Sequence, residues 1–185
     1  YIKNFDVYTS AEAIGQRAEY IRDGMDFDLW KKNCVRLITE GSLSALHVMC
    51  TVNALCLDSL PALIDIMVEW KRTYGPDYPN FTLNILRFPS FQSAVVLPKR
   101  LKDDVALQLT LKLKLFKDDL HEMEANQIAR LIEYLKTVDT PHEGADTLYK
   151  LQRDFKKFYT QYDKRRGKDF VKTFGNEMVA WYEQL

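Results

Sequence analysis

The sequence predicts an α/β fold in which three parallel strands and their crossover helices precede a helical extension. Three short segments rich in strand-favouring residues begin near residues 5, 46 and 81, about 35–40 residues apart. Helical patterns separate them, and strands that alternate with helices at this spacing are typical of βαβ units. Glycine is scarce, with 7 among 185 residues, which disfavours an all-β protein with many tight turns.

The first half of this pattern begins with a strand over 5–10, where polar and β-favouring residues alternate. A helix is predicted over 29–40, with Asp28 as its N-cap and Gly41 as its stop, because its apolar residues recur at three- and four-residue steps. The run over 46–52 is continuously apolar and rich in branched residues, which predicts a buried strand of a parallel sheet.

The second crossover helix is predicted from its two ends. Asp58 and Ser59 are N-cap candidates, and Pro61 falls in the first turn, where a missing N–H costs nothing. Gly75 ends this helix. The third strand is predicted over 81–87, and the crossovers between the strands should be right-handed.

After Pro98 the apolar residues fall at helical spacing, with charged residues between them. Four helices are predicted, over 105–120, 125–137, 145–162 and 169–185. Residues 142–144 are predicted to form a loop. No Pro- or Ser-rich linker separates the two halves, so we expect residues 1–97 to form the α/β part and residues 98–185 a helical extension packed on it.

Two charged segments in the extension have ordinary explanations. His121, Glu122 and Glu124 are interpreted as a solvated helix start. The stretch from Asp163 to Asp169 is interpreted as a charged interhelix turn, with Gly167 ending one helix and Asp169 capping the next. A phosphate-binding patch is the alternative for this turn.

Composition limits the possible partners. Lys and Arg total 26 and Asp and Glu total 26, so the formal net charge is zero. This argues against a dominant polyanionic partner such as nucleic acid, although it leaves a local basic patch open. No apolar run reaches the ~18–20 residues of a membrane-spanning helix. The first residue is Tyr1 rather than Met, and a strand begins almost at once, so we expect the chain to be a piece of a longer protein.

The three cysteines, Cys34, Cys50 and Cys56, do not form a disulfide framework, so a reducing cytoplasmic compartment is expected. Their spacing also fits no metal site within this chain. We expect Cys34 and Cys50 to be buried and Cys56 to lie near a strand-end loop. No Walker loop, Gly-x-Gly-x-x-Gly or Gly-x-Ser-x-Gly is present.

Polar side chains follow each predicted strand. Ser10 and Glu12 follow the first, Asn53 the second and Arg87 the third. Ligands of parallel α/β folds bind at the carboxyl ends of the strands, so these groups could converge on one rim. Solvated loop ends are the ordinary explanation of the same pattern.

Four segments together resemble the twitch-domain-containing group of radical SAM proteins. Ser10 to Gly15 matches Ser-x-Asp/Glu-x-x-Gly, and Glu-Tyr-Ile-Arg follows, ending at Arg22. The other segments are 51–61, 83–89 and 162–174. They are similar to the family's fifth strand, its sixth strand and its Arg-x-Thr-Asp-Phe and Thr-Phe-Pro ending, from which Lys168 and Gly175 depart.

The resemblance implies the C-terminal half of a partial (β/α)6 TIM-like barrel followed by a helical extension. It implies S-adenosylmethionine and a [4Fe-4S] cluster as cofactors, an external reductant, and cleavage of the cofactor to a 5′-deoxyadenosyl radical that attacks an unidentified substrate. Cofactor-binding positions would be Ser10, Glu12, Arg22, Asn53 and Arg87.

The family's Cys-x-x-x-Cys-x-x-Cys motif and its Gly-Gly-Glu motif are absent from these 185 residues. We therefore expect the missing N-terminal half of the barrel, which carries the cluster ligands, to precede this chain, and we expect the chain alone to be inactive. The alternative function is a non-catalytic α/β-helical interaction module that uses the basic turn at Arg165 and Arg166 or an exposed helix face.

Overall fold

Three parallel strands form one open sheet in the order β1-β2-β3 within the computed structural model, which describes residues 5–138 and 145–185. Residues of β1 (Asp6–Ser10) pair with β2 (Ala45–Val52), and β2 pairs with β3 (Asn80–Ile85). Ser10 lies beside Met49, which lies beside Thr82. The predicted α/β fold with three parallel strands is confirmed.

Helices connect and follow the strands. They are α1 (Gly15–Ile21), α2 (Phe27–Glu40), α3 (Leu60–Tyr74), α4 (Lys99–Leu115), α5 (Glu122–Thr137), α6 (Ala145–Arg166), α7 (Phe170–Thr173) and α8 (Asn176–Gln184). Short 3₁₀ turns occupy Leu57–Ser59, Ser90–Gln92 and Ala94–Val96. The predicted loop over 142–144 lies outside the described residues.

Several predicted helix boundaries are wrong. Helix α2 begins at Phe27 because Asp26, rather than Asp28, accepts a hydrogen bond from the N–H of Leu29 at 2.8 Å. Helix α4 begins six residues earlier than predicted because Pro98 occupies its N-cap position, where no N–H is needed. It also ends earlier, at Leu115.

The second crossover helix lacks the predicted side-chain cap. Ser59 instead accepts a hydrogen bond from the N–H of Ile14 at 3.0 Å, and Asp58 forms an ion pair with Arg17 at 2.9 Å. The two side chains therefore tie the residues before α3 to the loop after β1 and to the start of α1.

The predicted last helix is two helices. Asp169 caps α7 as predicted, by accepting from the N–H of Lys172 at 3.0 Å, but the chain is extended at Phe174 and Gly175. The ring of Phe174 packs edge-on against Tyr20, with centroids 5.1 Å apart. Gly167 has a positive φ of 62° and ends α6, as predicted, although α6 runs four residues beyond the predicted Tyr162.

The two halves of the chain share one hydrophobic core. Val48 and Leu83 of the sheet and Leu131 and Phe155 of the later helices are fully buried in the same cluster. A smaller cluster of Cys34, Leu43, Leu46 and Trp70 packs under the β1 side of the sheet.

Helix α5 covers the outer edge of β3 with its side chains. Glu124 accepts a hydrogen bond from the N–H of Phe81 at 2.9 Å, and Gln127 accepts one from the N–H of Leu83. Arg130 donates to the carbonyl oxygen of Leu83 at 3.2 Å. Three side chains on successive turns of α5 therefore take the place of a neighbouring strand.

A buried ion pair anchors this contact. The Lys71 ammonium lies 3.1 Å from Glu124, and their side chains are 2% and 1% exposed. Lys71 also donates to the carbonyl oxygen of Pro76 at 2.6 Å, and Glu124 accepts from the N–H of His121 at 2.9 Å. The interpretation of Glu124 as part of a solvated helix start is therefore wrong, because its carboxylate is fully buried and paired.

Candidate functional site

One face of the sheet packs on helices and the other is open. Along β2, Leu46, Val48, Cys50 and Val52 are buried, whereas Met49 and Thr51 between them are exposed. Side chains alternate between the two faces of a strand. Parallel sheets are usually covered on both faces, so an open face on this sheet is unusual.

Polar and aromatic side chains occupy the open face. The ring of Tyr8, which is 64% exposed, stacks on the ring of His47 with centroids 4.4 Å apart. The Nε2 atom of His47 and the Oγ1 atom of Thr82 are buried without a hydrogen-bond partner among the described residues. This face therefore differs from the apolar face that packs on the helices.

A broad cleft of about 940 Å³ lies between the open face and the first turns of α5. Met49, Thr82 and Asn84 line it from the sheet, and Asn126 and Arg130 line it from α5. Its lining offers several hydrogen-bonding groups toward the end of the sheet at which ligands bind in parallel folds.

The structure brings Glu12 and Arg22 together at the carboxyl end of β1. The guanidinium donates from Nε and Nη2 to the two carboxylate oxygens, each at 2.6 Å. Glu12 is 5% exposed as a residue, whereas the Arg22 side chain is 42% exposed. The hydrogen bonds that Arg22 donates to the Glu12 carboxylate raise the pKa of Arg22 above its usual value. Nη1 of Arg22 donates no hydrogen bond to a described residue, so that atom could donate to a ligand carboxylate.

Ser10 is the last residue of β1, and by the strand alternation its side chain shares the open face with Tyr8. Its backbone lies beside that of Met49 in the sheet. The predicted residues Ser10, Glu12 and Arg22 therefore occupy one end of one strand and the turn after it.

Asn53 and Arg87 do not join that group by any contact. The side-chain Oδ1 of Asn53 accepts from the N–H groups of Leu55 and Cys56, at 2.9 and 3.2 Å, and its Nδ2 donates to the carbonyl oxygen of Thr51 at 3.0 Å. Its side chain is thus used to form the turn after β2. Arg87 is exposed beyond the end of β3.

Two buried thiols lie beneath the Glu12–Arg22 pair. Cys50 and Cys56 are both fully buried, and hydrogen bonding with Cys56, together with burial, raises the pKa of Cys50 well above its ordinary value. Cys34 is also buried, as expected, and burial raises its pKa to about 12. Protonated, buried thiols are inert.

The cysteines do not fit an iron–sulfur cluster. Within 5–138 and 145–185, no group of three His, Cys, Asp or Glu side chains could hold a metal ion. Cluster ligands are thiolates from several cysteines. The donor set of Ser10, Glu12 and Arg22, by contrast, fits a ligand with a carboxylate and hydroxyl groups.

The capping of β3 by α5 and the buried Lys71–Glu124 pair escaped the sequence analysis. Polar residues at three-residue steps on a helix normally indicate a solvated face. The only sequence signal was that a third parallel strand needs a covering on its outer edge.

Comparisons with protein-family models, with curated proteins and with solved structures return no match. Across the described ranges, the helices are too short or too polar to cross a membrane. The fold and the site together therefore define an α/β protein with an open parallel sheet and polar side chains at the carboxyl end of β1.

Proposed function

We propose that this chain is the C-terminal half of a partial (β/α)6 barrel in a radical SAM enzyme and supplies part of the S-adenosylmethionine site. The observation that carries the proposal is the open face of the sheet. In a barrel the helices lie outside, and alternate strand residues point to the interior. Tyr8, Met49 and Asn84 would then face the barrel interior, which explains why they are exposed in this chain.

The free edge of β1 supports the same proposal. Phe5 accepts from the N–H of Ser44, and Ala11 donates to the carbonyl oxygen of Met49. Backbone groups of a parallel strand alternate in direction, so the N–H and C=O groups of Asp6, Tyr8 and Ser10 point away from β2. No described residue bonds to them. A preceding parallel strand of the barrel would satisfy them.

Within the cofactor site, the chain's own residues would bind and orient. Nη1 of Arg22 would bind the methionyl carboxylate, while Glu12 holds the guanidinium in a fixed plane. The hydroxyl of Ser10 would contact the ribose or the methionyl part. The bound cofactor, together with a cluster whose ligands would lie outside this chain, would supply reductive cleavage to a 5′-deoxyadenosyl radical.

The test uses the longer reading frame that includes the preceding half-barrel. The protein is loaded with iron and sulfide anaerobically, reduced, and assayed for 5′-deoxyadenosine. Formation of 5′-deoxyadenosine supports the proposal. A folded, cluster-loaded protein that produces none contradicts it.

Cofactor affinity separates the residue assignments from the overall proposal. In that protein, Ser10→Ala and Glu12→Ala should each weaken S-adenosylmethionine binding about tenfold or more in calorimetry, since each removes a polar contact. Glu40→Ala, at the exposed end of α2, is the matched control and should leave affinity unchanged. Unchanged binding in both site variants would refute the assignment.

One observation favours the second candidate, a non-catalytic interaction module. Leu107, Leu111 and Leu115 lie four residues apart on one face of α4 and are 60%, 58% and 69% exposed. The sequence immediately upstream of Tyr1 separates the candidates. A strand followed by Cys-x-x-x-Cys-x-x-Cys favours the enzyme, and a start codon there favours the module.

A further inference from the structure

Helix α6 forms one wall of a cleft that is distinct from the open face of the sheet. A cavity of about 170 Å³ between α1, the turn after β2 and α6 is lined by Asn53, Gln92 and Tyr159 among others. A second, shallower space of about 440 Å³ lies along the surface of α6, and the described residues that line it all belong to that helix. Phe158 and Tyr162 line both cavities. We call the two together the α6 cleft.

Two parallel stripes of side chains run along this wall of α6. One stripe is aromatic and consists of Phe158 and Tyr162, whose ring planes are nearly parallel and whose ring centroids are 6.3 Å apart. The other stripe is polar, with Lys157, Gln161 and Arg165 at four-residue steps. Residues four apart lie on the same helix face. Flat apolar surfaces and cations therefore lie side by side along the helix.

The lining of the α6 cleft carries positive charge only. Lys157, Arg165 and Arg166 contribute cations, and no Asp or Glu among the described residues lines either space. This contrasts with the whole chain, in which acidic and basic residues balance at 26 each. The local imbalance favours an anionic ligand.

Two cations at the end of α6 are already bound to other groups of the protein and are not free to bind a ligand. Arg166 forms an ion pair with Asp23 at 2.6 Å, and Lys168 donates to the carbonyl oxygen of Glu19 at 3.0 Å. These contacts fix the turn after α6 to α1 and the loop that follows it. Lys157 and Arg165 are exposed and form no ion pair with any described residue, so they are the cations free to bind a ligand.

We propose that the α6 cleft binds single-stranded nucleic acid, with a base stacked on Phe158 and Tyr162 and phosphates bound by Lys157 and Arg165. Stacking on aromatic rings and phosphate contacts with cations are the two components of single-strand binding. Lys157 and Arg165 are eight residues apart, about 12 Å along the helix axis. Cations spaced along one helix face in this way can bind different phosphates of one extended strand.

The proposal is independent of the radical SAM function. It requires neither the cluster nor the cofactor, and the test below measures binding by the chain of 185 residues alone. The two proposals can therefore fail separately.

The experiment measures fluorescence anisotropy of a labelled ten-residue oligothymidylate at low salt. Lys157→Gln combined with Arg165→Gln should weaken binding at least tenfold and reduce the slope of log affinity against log salt by about 1.4, since each phosphate contact contributes about 0.7. The matched control is Lys150→Gln with Arg153→Gln, which removes two exposed cations from the same helix outside the cleft. It should change affinity less than twofold.

The aromatic contribution is tested separately. Phe158→Leu should weaken binding about fivefold or more because it removes a stacking surface. Tyr149, which is 69% exposed on the same helix, provides the control Tyr149→Leu, which should bind as the wild type does.

Three results would overturn the proposal. The first is equal loss in the cleft variants and their controls, which would indicate nonspecific attraction. The second is equal affinity for a duplex of the same length, because a duplex offers no unstacked base. The third is full competition by free adenosine monophosphate at equal nucleotide concentration, which would make a mononucleotide the ligand.

Discussion

The two edges of the sheet differ in how their backbone groups are satisfied. At the β3 edge, Glu124, Gln127 and Arg130 of α5 bind the outward N–H and C=O groups. At the β1 edge, the outward groups of Tyr8 and Ser10 have no partner among the described residues. One edge is therefore closed by side chains within this chain, and the other is available for a further strand.

The open face extends across all three strands, whereas it is at the β1 edge that outward backbone groups are left without partners among the described residues. Natural sheets usually cover their edges, because free backbone groups invite pairing with another chain. In a sheet that closes one edge with buried side chains and leaves the other free, the free edge is the one at which a further strand could pair. This is the physical basis for proposing a preceding half-barrel.

The largest expected effect concerns the closed edge. Glu124→Leu leaves Lys71 as an unpaired buried cation and frees the N–H of Phe81. Breaking a buried ion pair on one side costs about 3–5 kcal/mol, so the free energy of unfolding in urea should fall by that amount. The control Glu122→Gln, two residues away and exposed, should change it by less than 0.5 kcal/mol, in the range of ordinary surface substitutions. A loss below about 1 kcal/mol for Glu124→Leu would show that the pair does not anchor α5.

The next effect compares neighbouring positions on β1. A proline at Val7 removes an N–H directed at β2, whereas a proline at Tyr8 removes one directed outward. Val7→Pro should therefore lower the free energy of unfolding by about 2–3 kcal/mol more than Tyr8→Pro does. The part of the loss that comes from side-chain packing is measured with Val7→Ala and subtracted first. Equal losses at both positions would mean that the outward groups of β1 are already paired.

A smaller loss of stability is expected when only one of the α5 side chains that cover the β3 edge is replaced. Gln127→Leu leaves the N–H of Leu83 without its acceptor, and an unsatisfied buried donor costs about 1–2 kcal/mol. Asn126→Ala, at the exposed neighbouring position, is the control and should be nearly neutral in the same urea titration. If both variants are neutral, water replaces Gln127 and the edge is not closed by side chains.

The smallest effect is a pH dependence on the β1 side. Burial raises the pKa of Cys34 to about 12 from its usual 9.0. As the pH rises, the Cys34 thiol loses its proton in the unfolded chain before it does so in the folded chain. The contribution of this thiol to the free energy of unfolding is therefore fully present below pH 9 and is lost as the pH rises toward 12. Relative to Cys34→Ala, the wild type should lose about 1 kcal/mol between pH 8 and pH 10. If the free energies of unfolding of the wild type and of Cys34→Ala change equally with pH, Cys34 titrates normally and this side of the sheet is open to solvent.

The sequence predicted the three parallel strands because strand-favouring residues are concentrated in three short runs and helical patterns separate those runs. It also placed Ser10 and Glu12 at the end of the first strand. It did not predict that Glu12 and Arg22 bind each other, because the chain must turn between them through α1. It also missed the role of Asn53, since an amide that forms a turn and an amide that binds a ligand are identical in sequence.

Hydrogen exchange at the two edges tests the central claim most directly. In the chain of 185 residues, the amides of Phe81 and Leu83 should be protected, while those of Tyr8 and Ser10 should exchange as freely as an unfolded chain. In a longer protein that includes the proposed preceding half-barrel, Tyr8 and Ser10 should gain protection comparable to that of Phe81. Free exchange of Tyr8 and Ser10 in the longer protein would contradict the claim that β1 continues the sheet.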